Sequence, residues 1–163
     1  QDQPVIASVG RIHMMTDDRF TPHATVATVI ERHGKFLLVE EHSQGRRVLN
    51  QPAGHLEPNE TLLEAAVRET LEETCWQIAL TGYLGVTIVN GANGVCYLRH
   101  SFVGTPIQYN ESLERDSKIT DTHWLTRHEI QESTIALRHP VVLDIIDQYL
   151  ENTAVSLNLV RSL

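Results

Sequence analysis

Three glutamates lie close together in one predicted helix and could hold a divalent metal ion. Glu69, Glu72 and Glu73 are spaced i, i+3 and i+4, so a helix places them on one side. Three like charges at this spacing repel one another, and Mg²⁺ or Mn²⁺ would relieve that repulsion, because both ions accept carboxylate oxygens as ligands. A solvated acidic helix face would show the same spacing, so the three glutamates alone leave both interpretations open.

Arg68 is the basic residue nearest to these glutamates. On a helix it lies four residues from both Glu64 and Glu72, and its side chain is expected to point away from Glu69. Glu69 and Glu73 would then lack a counter-charge within the helix, which favours a bound cation.

The helix that carries these residues is predicted from residue 60 to residue 74. This stretch contains no Gly or Pro and is dominated by Leu, Ala, Glu and Arg, which are strong helix formers. Asn59 is the expected N-cap residue. The face that packs on a sheet is expected to be small and mostly apolar, and it consists of Leu63, Ala66, Val67, Thr70 and Thr74.

Strands are predicted on both sides of this helix. Before it, residues 22–32 and 35–41 should form a hairpin around His33-Gly34, followed by a short strand at 48–50 and a loop at 51–54. After the helix come two apolar stretches in 77–90, a turn at 91–94 and a strand at 95–103. A polar loop at 105–118 leads to a short strand at 122–125. A capping box at 126–129 and a final helix from Pro140 follow. These elements predict a mixed sheet with a helix on either side, an α/β/α sandwich.

Length and composition predict a single domain over residues 15–163, preceded at 1–14 by an expected remnant of the cloning vector. The formal net charge of −8 argues against nucleic-acid and anionic-membrane partners. Two cysteines without a CxxC motif favour a reduced, cytoplasmic protein, expected as a monomer or homodimer.

The full spacing around the glutamates resembles the Nudix box, G-x5-E-x7-R-E-U-x-E-E-x-G-U, where U is a bulky apolar residue. Seven residues fall in register with it: Gly54, Glu60, Arg68, Glu69, Glu72, Glu73 and Trp76. Two residues depart, since Thr70 stands at an apolar position and Cys75 stands where Gly is usual. A left-handed helix end explains the usual Gly, so Cys75 would be strained there and Cys75→Gly is expected to stabilise the protein slightly.

The resemblance implies a Nudix fold with Mg²⁺ or Mn²⁺ held by Glu69, Glu72, Glu73 and the backbone carbonyl near Gly54. It also implies that Glu69 and Glu73 are catalytic and that Glu60 and Arg68 brace the loop and the helix. The small phosphorylated substrate would be cleaved by water at a phosphoanhydride bond.

Flanking sequence resembles one branch more closely, the bacterial NudJ-type phosphatases. The matching stretches are GKFLLVEE at 34–41, NQPAGHLEPNETLLEAA at 50–66 and LRHSF at 98–102. This branch implies hydroxymethylpyrimidine pyrophosphate, thiamine pyrophosphate and nucleoside tri- or diphosphates as substrates. The alternatives are pyrophosphohydrolysis of a nucleoside triphosphate and a Nudix-fold module that binds a nucleotide without cleaving it.

Outside the box, His55 and Arg99 are candidates for contacting a substrate phosphate. His55 could equally be a loop residue without a catalytic role, and a strand Arg is more often an exposed solubilising residue. Glu111 and Glu114, together with Asp116, are candidates for a second base in the polar loop, which could also be a surface loop of no function.

Overall fold

The computed structural model describes residues 19–162, so the expected vector remnant at 1–14 lies outside the described residues. Eight strands and three α-helices are present in this part of the chain. The strands are β1 (His23–Arg32), β2 (Lys35–Ser43), β3 (Arg46–Asn50), β4 (Ala53–His55), β5 (Trp76–Asn90), β6 (Cys96–Tyr109), β7 (Ile119–Leu125) and β8 (Ala136–Leu137). The helices are α1 (Leu62–Thr74), α2 (Arg127–Gln131) and α3 (Val141–Leu150), followed by a 3-10 turn at Leu157–Leu159. Across residues 19–162, no helix has the length and apolar character needed to span a membrane.

The sheet is mixed and runs in the order β5-β6-β1-β2-β3-β8, with β4 paired to β1 and β7 paired to β2. The β1–β6 and β3–β8 pairs are parallel, and the others are antiparallel. The predicted β1–β2 hairpin is confirmed, and its turn uses left-handed backbone at both His33 and Gly34.

Strand β1 is buried on both faces because helices cover both sides of the sheet. Val26 packs with Ala65 and Ala66 of α1 on one side. Val29 packs with residues of α3 such as Ile145 on the other side. The predicted α/β/α sandwich is therefore confirmed, with β1 in its middle layer.

Helix α1 begins two residues later than predicted. Its N-cap residue is Thr61, whose side chain accepts from the Glu64 amide at 3.1 Å while the Glu64 carboxylate accepts from the Thr61 amide at 2.8 Å. This capping box satisfies two free amides of the first turn at once. The residue three positions after Asn59 is Leu62, which cannot complete a capping box. Asn59 instead lies in a turn with left-handed backbone, with φ of 67°.

The strands around the helix are longer than their patterns suggested. The predicted loop at 51–54 ends in β4, in which Gly54 pairs with Val26 of β1. The two apolar stretches of 77–90 form one strand, β5, whose pairing to β6 shifts register between Leu80 and Gly82 and at two other points. Strand β6 extends to Tyr109, so the polar loop shortens to residues 110–118.

Cys75 ends helix α1 in the left-handed conformation that the box predicted, with φ of 59° and ψ of 13°. The side chain is also buried, and its thiol donates to the carbonyl of Leu113 at 3.3 Å. The Cys75 carbonyl accepts from the Asn110 amide at 2.9 Å. Cys75 therefore joins the helix to the polar loop, a contact that the sequence did not indicate.

These contacts reverse the expected sign for Cys75→Gly. Relief of strain contributes about 1 kcal/mol, but Gly loses about 0.5–1 kcal/mol of backbone entropy, and removal of a buried CH₂ and thiol costs about 1 kcal/mol. We expect the melting midpoint under reducing conditions to fall by about 2–4 °C. Cys75→Ala is the matched control, because it loses the thiol and keeps the strain of the parent, but it retains the buried CH₂ and avoids the entropy cost of Gly, so it should melt at or slightly above Cys75→Gly. A Cys75→Gly midpoint above the parent would contradict the packing argument.

Candidate active site

Helix α1 buries two of its three glutamates and leaves the third half-exposed. Glu69 is 6 % exposed and Glu73 is 2 % exposed, whereas the side chain of Glu72 is half in solvent. Arg68 contacts both Glu69 and Glu72. Besides burial, the negative charge of Glu69 contributes to raising the pKa of Glu73. The structure therefore brings Glu69 and Glu72 together at one guanidinium, whereas the carboxylate of Glu73 lies against the Ala53 amide.

Strand β4 lies directly against the two buried glutamates. The Ala53 amide donates to the Glu73 carboxylate at 2.9 Å. At the next residue, Gly54, a Cβ atom would overlap the carboxylate of Glu69. The box therefore requires Gly54 because the backbone of β4 and a carboxylate of α1 occupy adjacent space.

The predicted orientation of Arg68 is wrong. Its Nη1 donates to Glu69 at 3.0 Å and to Glu72 at 3.1 Å, and its Nε and Nη2 donate to both oxygens of Glu60 at 2.9 and 2.6 Å. Nη2 also donates to the His55 carbonyl at 3.1 Å. A guanidinium has five N–H donors in a rigid, planar arrangement. One Arg can therefore bind the loop before the helix and, at the same time, two carboxylates of the helix. Hydrogen bonds from Arg68 lower the pKa of Glu60.

The side chain that lies next to Glu73 is Lys118, which the sequence analysis did not single out. Its Nζ is 3.6 Å from the Glu73 carboxylate and 3.2 Å from the Asp116 carboxylate. The Asp116 amide in turn donates to the Glu72 carbonyl at 2.8 Å, which ties the loop to the helix end. Glu73 therefore has a counter-charge from outside the helix, whereas the expectation that Glu69 lacks one within the helix is wrong, because Arg68 contacts it at 3.0 Å.

The candidate second bases lie in different places in the 110–118 loop. Glu111 and Glu114 are exposed, and neither lines the cleft described below. Asp116 is partly buried, and its carboxylate contacts Lys118. The loop thus presents a cation, not a carboxylate, to the buried glutamates.

Burial strongly affects the ionisation of Glu73. Desolvation raises its pKa to about 8, against the opposing effects of the Ala53 amide and Lys118. A buried carboxyl of this kind binds a proton readily in the absence of a cation and exchanges it for a metal ion when one binds.

A cleft of about 720 Å³ opens beside these residues. Glu73, Gly54 and Lys118 line one part of it. His55 lines it too, and its ring nitrogen lies 3.1 Å from that of His23. Arg99 also lines the cleft but is only 8 % exposed, so the alternative of a solubilising surface Arg does not hold.

The residues at the cleft fit a hard divalent cation. Among residues 19–162, no three His, Cys, Asp or Glu side chains form a preassembled metal site. Two buried carboxylates and the backbone of β4 nevertheless supply the oxygen donors that Mg²⁺ and Mn²⁺ accept. Arg68 pairs with Glu69 and Lys118 pairs with Glu73, so these two cations neutralise the buried carboxylates. A metal ion bound here would neutralise part of the same negative charge.

Comparison with known proteins agrees with this geometry. The NUDIX domain family model matches residues 19–144. Phosphatase NudJ of Escherichia coli strain K12 is 38 % identical over 130 residues, which cover 80 % of this chain and 84 % of that protein. A solved structure, the NUDIX hydrolase from Nitrosomonas europaea, shows 36 % identity and a TM-score of 0.84, covering 88 % of this chain and 98 % of that one.

A more distant structure shares the fold alone. The solution structure of the E. coli ORF135 protein has 21 % identity and a TM-score of 0.62, covering 81 % of this chain and 91 % of that one. The family model spans the glutamates, the β4 strand and the 110–118 loop, so the resemblance based on the box is confirmed. On this evidence, the chain belongs to the Nudix hydrolase family.

Proposed function

We propose that this enzyme uses Mg²⁺ or Mn²⁺ to hydrolyse a phosphoanhydride bond in a small diphosphate or nucleotide, releasing orthophosphate from the terminal phosphoryl group. The observation that carries the proposal is the pair of buried glutamates, Glu69 and Glu73, packed against strand β4 beside the cleft. Nudix hydrolases generally use divalent metal ions, and this pair supplies suitable ligands.

The metal would be held by Glu69, Glu72, Glu73 and the carbonyl of Gly54. When bound, it would neutralise phosphate charge and lower the pKa of the attacking water. In this proposal Glu69 and Glu73 accept the proton of that water, and their burial against strand β4 supports the assignment.

The neighbouring cations would orient these groups and attract the substrate. Arg68 fixes the position of Glu69 and holds Glu60 at the start of the helix. Lys118 lies in the cleft wall, where its ammonium group could contact a phosphate oxygen. His55, also in the wall, is the second proposed phosphate contact.

The substrates we propose are hydroxymethylpyrimidine pyrophosphate, thiamine pyrophosphate and nucleoside tri- or diphosphates. Support comes from the 38 % identity to Phosphatase NudJ and from the cleft volume, which is within the range of small-molecule sites. The second candidate, pyrophosphohydrolysis of a nucleoside triphosphate, shares the same metal site and differs in which phosphorus is attacked.

Product analysis by phosphorus NMR, with Mg²⁺ and a nucleoside triphosphate, tests the proposal. We expect an orthophosphate signal with Mg²⁺ and none in excess EDTA, because the chain's own cations cannot lower the pKa of water as a metal ion does. A pyrophosphate signal would support the second candidate. Full turnover in EDTA would refute the metal requirement.

A non-catalytic nucleotide-binding module is the third candidate. Such a module would bind the compounds above without releasing phosphate at any metal concentration. The presence of all three box glutamates, with Glu69 and Glu73 buried and Glu73 lining the cleft, favours an active enzyme.

A further inference from the structure

Arg99 is a buried cation whose hydrogen bonds go to neutral side chains. It lies on β6, and its Nη2 donates to the side-chain oxygens of Gln51 at 2.7 Å and Asn50 at 3.2 Å. Its Nε is buried and has no hydrogen-bond partner in the part of the chain that the structure describes. Within that part Arg99 forms no salt bridge either, although a buried charge is costly unless it is paired.

Arg138, in the segment between β8 and α3, carries a second guanidinium whose positive charge repels that of Arg99. Burial and then the charge of Arg138 lower the pKa of Arg99 to about 10. Arg138 pairs with Glu41 at 2.8 Å, and Glu41 also accepts from Asn50 at 3.3 Å. Arg99 and Arg138 are thus linked through Asn50 and Glu41, and the Glu41 carboxylate contacts Arg138 directly.

The cleft concentrates positive charge in an otherwise acidic protein. Four of the thirteen Lys and Arg residues line it, although the formal net charge is −8. They are Arg46, Arg99, Lys118 and Arg138. Lys118 contacts Glu73, whereas Arg99 contacts Asn50 and Arg138 contacts Glu41.

We propose that Arg99 and Arg138 form a second anion subsite that binds the phosphoryl group of the substrate that is not transferred. This inference rests on the proposed function, since it assigns the two ends of a diphosphate to two parts of one cleft. The guanidinium fork of Arg99 has an unused buried donor, and Arg guanidinium groups bind phosphate through paired hydrogen bonds. Glu41 holds Arg138 in place and competes with the phosphate for it.

The test measures binding of inorganic pyrophosphate to the whole protein by calorimetry at low salt, with EDTA present so that no metal takes part. The parent should bind. Arg99→Gln and Arg138→Gln should each weaken binding by about tenfold to a hundredfold, because each removes charged hydrogen bonds. Glu41→Gln should strengthen binding several-fold, since it frees Arg138 of a competing carboxylate. Arg161→Gln, an exposed Arg elsewhere on the chain, is the control for net charge and should bind like the parent.

Melting curves separate ligand binding from a structural role. A structural Arg destabilises the protein when it is removed, whereas removal of an uncompensated buried charge leaves the midpoint unchanged or raises it. We expect the second result for Arg99→Gln. If that variant does not fold, the partly exposed Arg138 decides the question through Arg138→Gln.

The outcomes distinguish this inference from the proposed function. If the Arg99 variant binds pyrophosphate like the parent, or if the Arg161 control weakens binding equally, the subsite is refuted whether or not the enzyme hydrolyses phosphoanhydrides. If the parent binds pyrophosphate through the two arginines but releases no phosphate with Mg²⁺, the subsite stands and the proposed reaction fails. In an active enzyme, Arg99→Gln should raise KM for a nucleoside diphosphate more than it lowers kcat.

Discussion

Glu73→Gln is expected to lower kcat by about a hundredfold or more while the protein stays folded. The change removes a proposed metal ligand and proton acceptor but leaves an amide oxygen of the same size. That oxygen can still accept from the Ala53 amide, which donates to Glu73 at 2.9 Å. The measurement is the steady-state rate of phosphate release with saturating Mg²⁺, together with a circular dichroism spectrum.

The stability of the same variant should respond to pH in a defined way. The pKa of Glu73 is raised in the folded protein to about 8, above its value in the unfolded chain, so the folded state binds this proton more tightly. The resulting stability is fully present below about pH 4.5 and is lost as pH rises through about 8. In metal-free buffer, the free energy of unfolding of the parent should fall relative to that of Glu73→Gln across this range, by an amount on the order of a few kcal/mol.

Glu132→Gln is the matched control for both measurements, because Glu132 is exposed at the end of α2. It should leave kcat and the pH dependence of stability unchanged. Near-parental turnover by a folded Glu73→Gln protein would show that the buried carboxylate takes no part in the reaction.

Local patterns predicted most of the elements, although not strands β4 and β8, and they identified the three glutamates as candidate ligands. The register from Gly54 to Trp76, the β1–β2 hairpin and helix α3 depend on helical periodicity and on turn residues that are neighbours in sequence. The start of α1 shows the limit of such patterns. Asn59 and Thr61 are both good capping residues. Thr61 is the N-cap because Glu64, three residues later, completes a capping box with it.

The orientation of Arg68 could not be predicted from helix spacing alone. Spacing places it four residues from Glu72, and that contact is present at 3.1 Å. The direction of the guanidinium is set by Glu60 and the His55 carbonyl, which belong to the segment before the helix and are brought close by strand β4. Once drawn toward them, the fork also reaches Glu69.

Lys118 and Arg99 were missed or undervalued because long-range contacts place them. The 110–118 loop is held to the helix end by backbone hydrogen bonds to Glu72 and Cys75, which carry no side-chain signature. Strand alternation assigns Arg99 to the face of Ser101 but does not say which face is buried. In the structure β6 lies between β5 and β1, and both Arg99 and Ser101 are buried there.

Gly54→Ala is expected to lower kcat by about a hundredfold at a smaller cost in stability. The added Cβ would overlap the carboxylate of Glu69, which is the flexible end of a side chain, so the carboxylate must rotate away. Overpacking of this kind costs about 1–3 kcal/mol, whereas displacement of a proposed metal ligand by an ångström removes most of the rate. Kinetics with Mg²⁺ and a chemical denaturation curve measure the two effects.

Gly34→Ala is the control, because Gly34 lies in the β1–β2 turn with φ of 75° and no atom near its Cβ position. It should cost about 1–2 kcal/mol through backbone strain and leave kcat unchanged. A double variant identifies the route of the effect. If Gly54→Ala acts only by moving Glu69, then Gly54→Ala combined with Glu69→Ala should be no slower than Glu69→Ala alone. Additive losses would mean instead that Gly54 contributes separately, through its own backbone at the site.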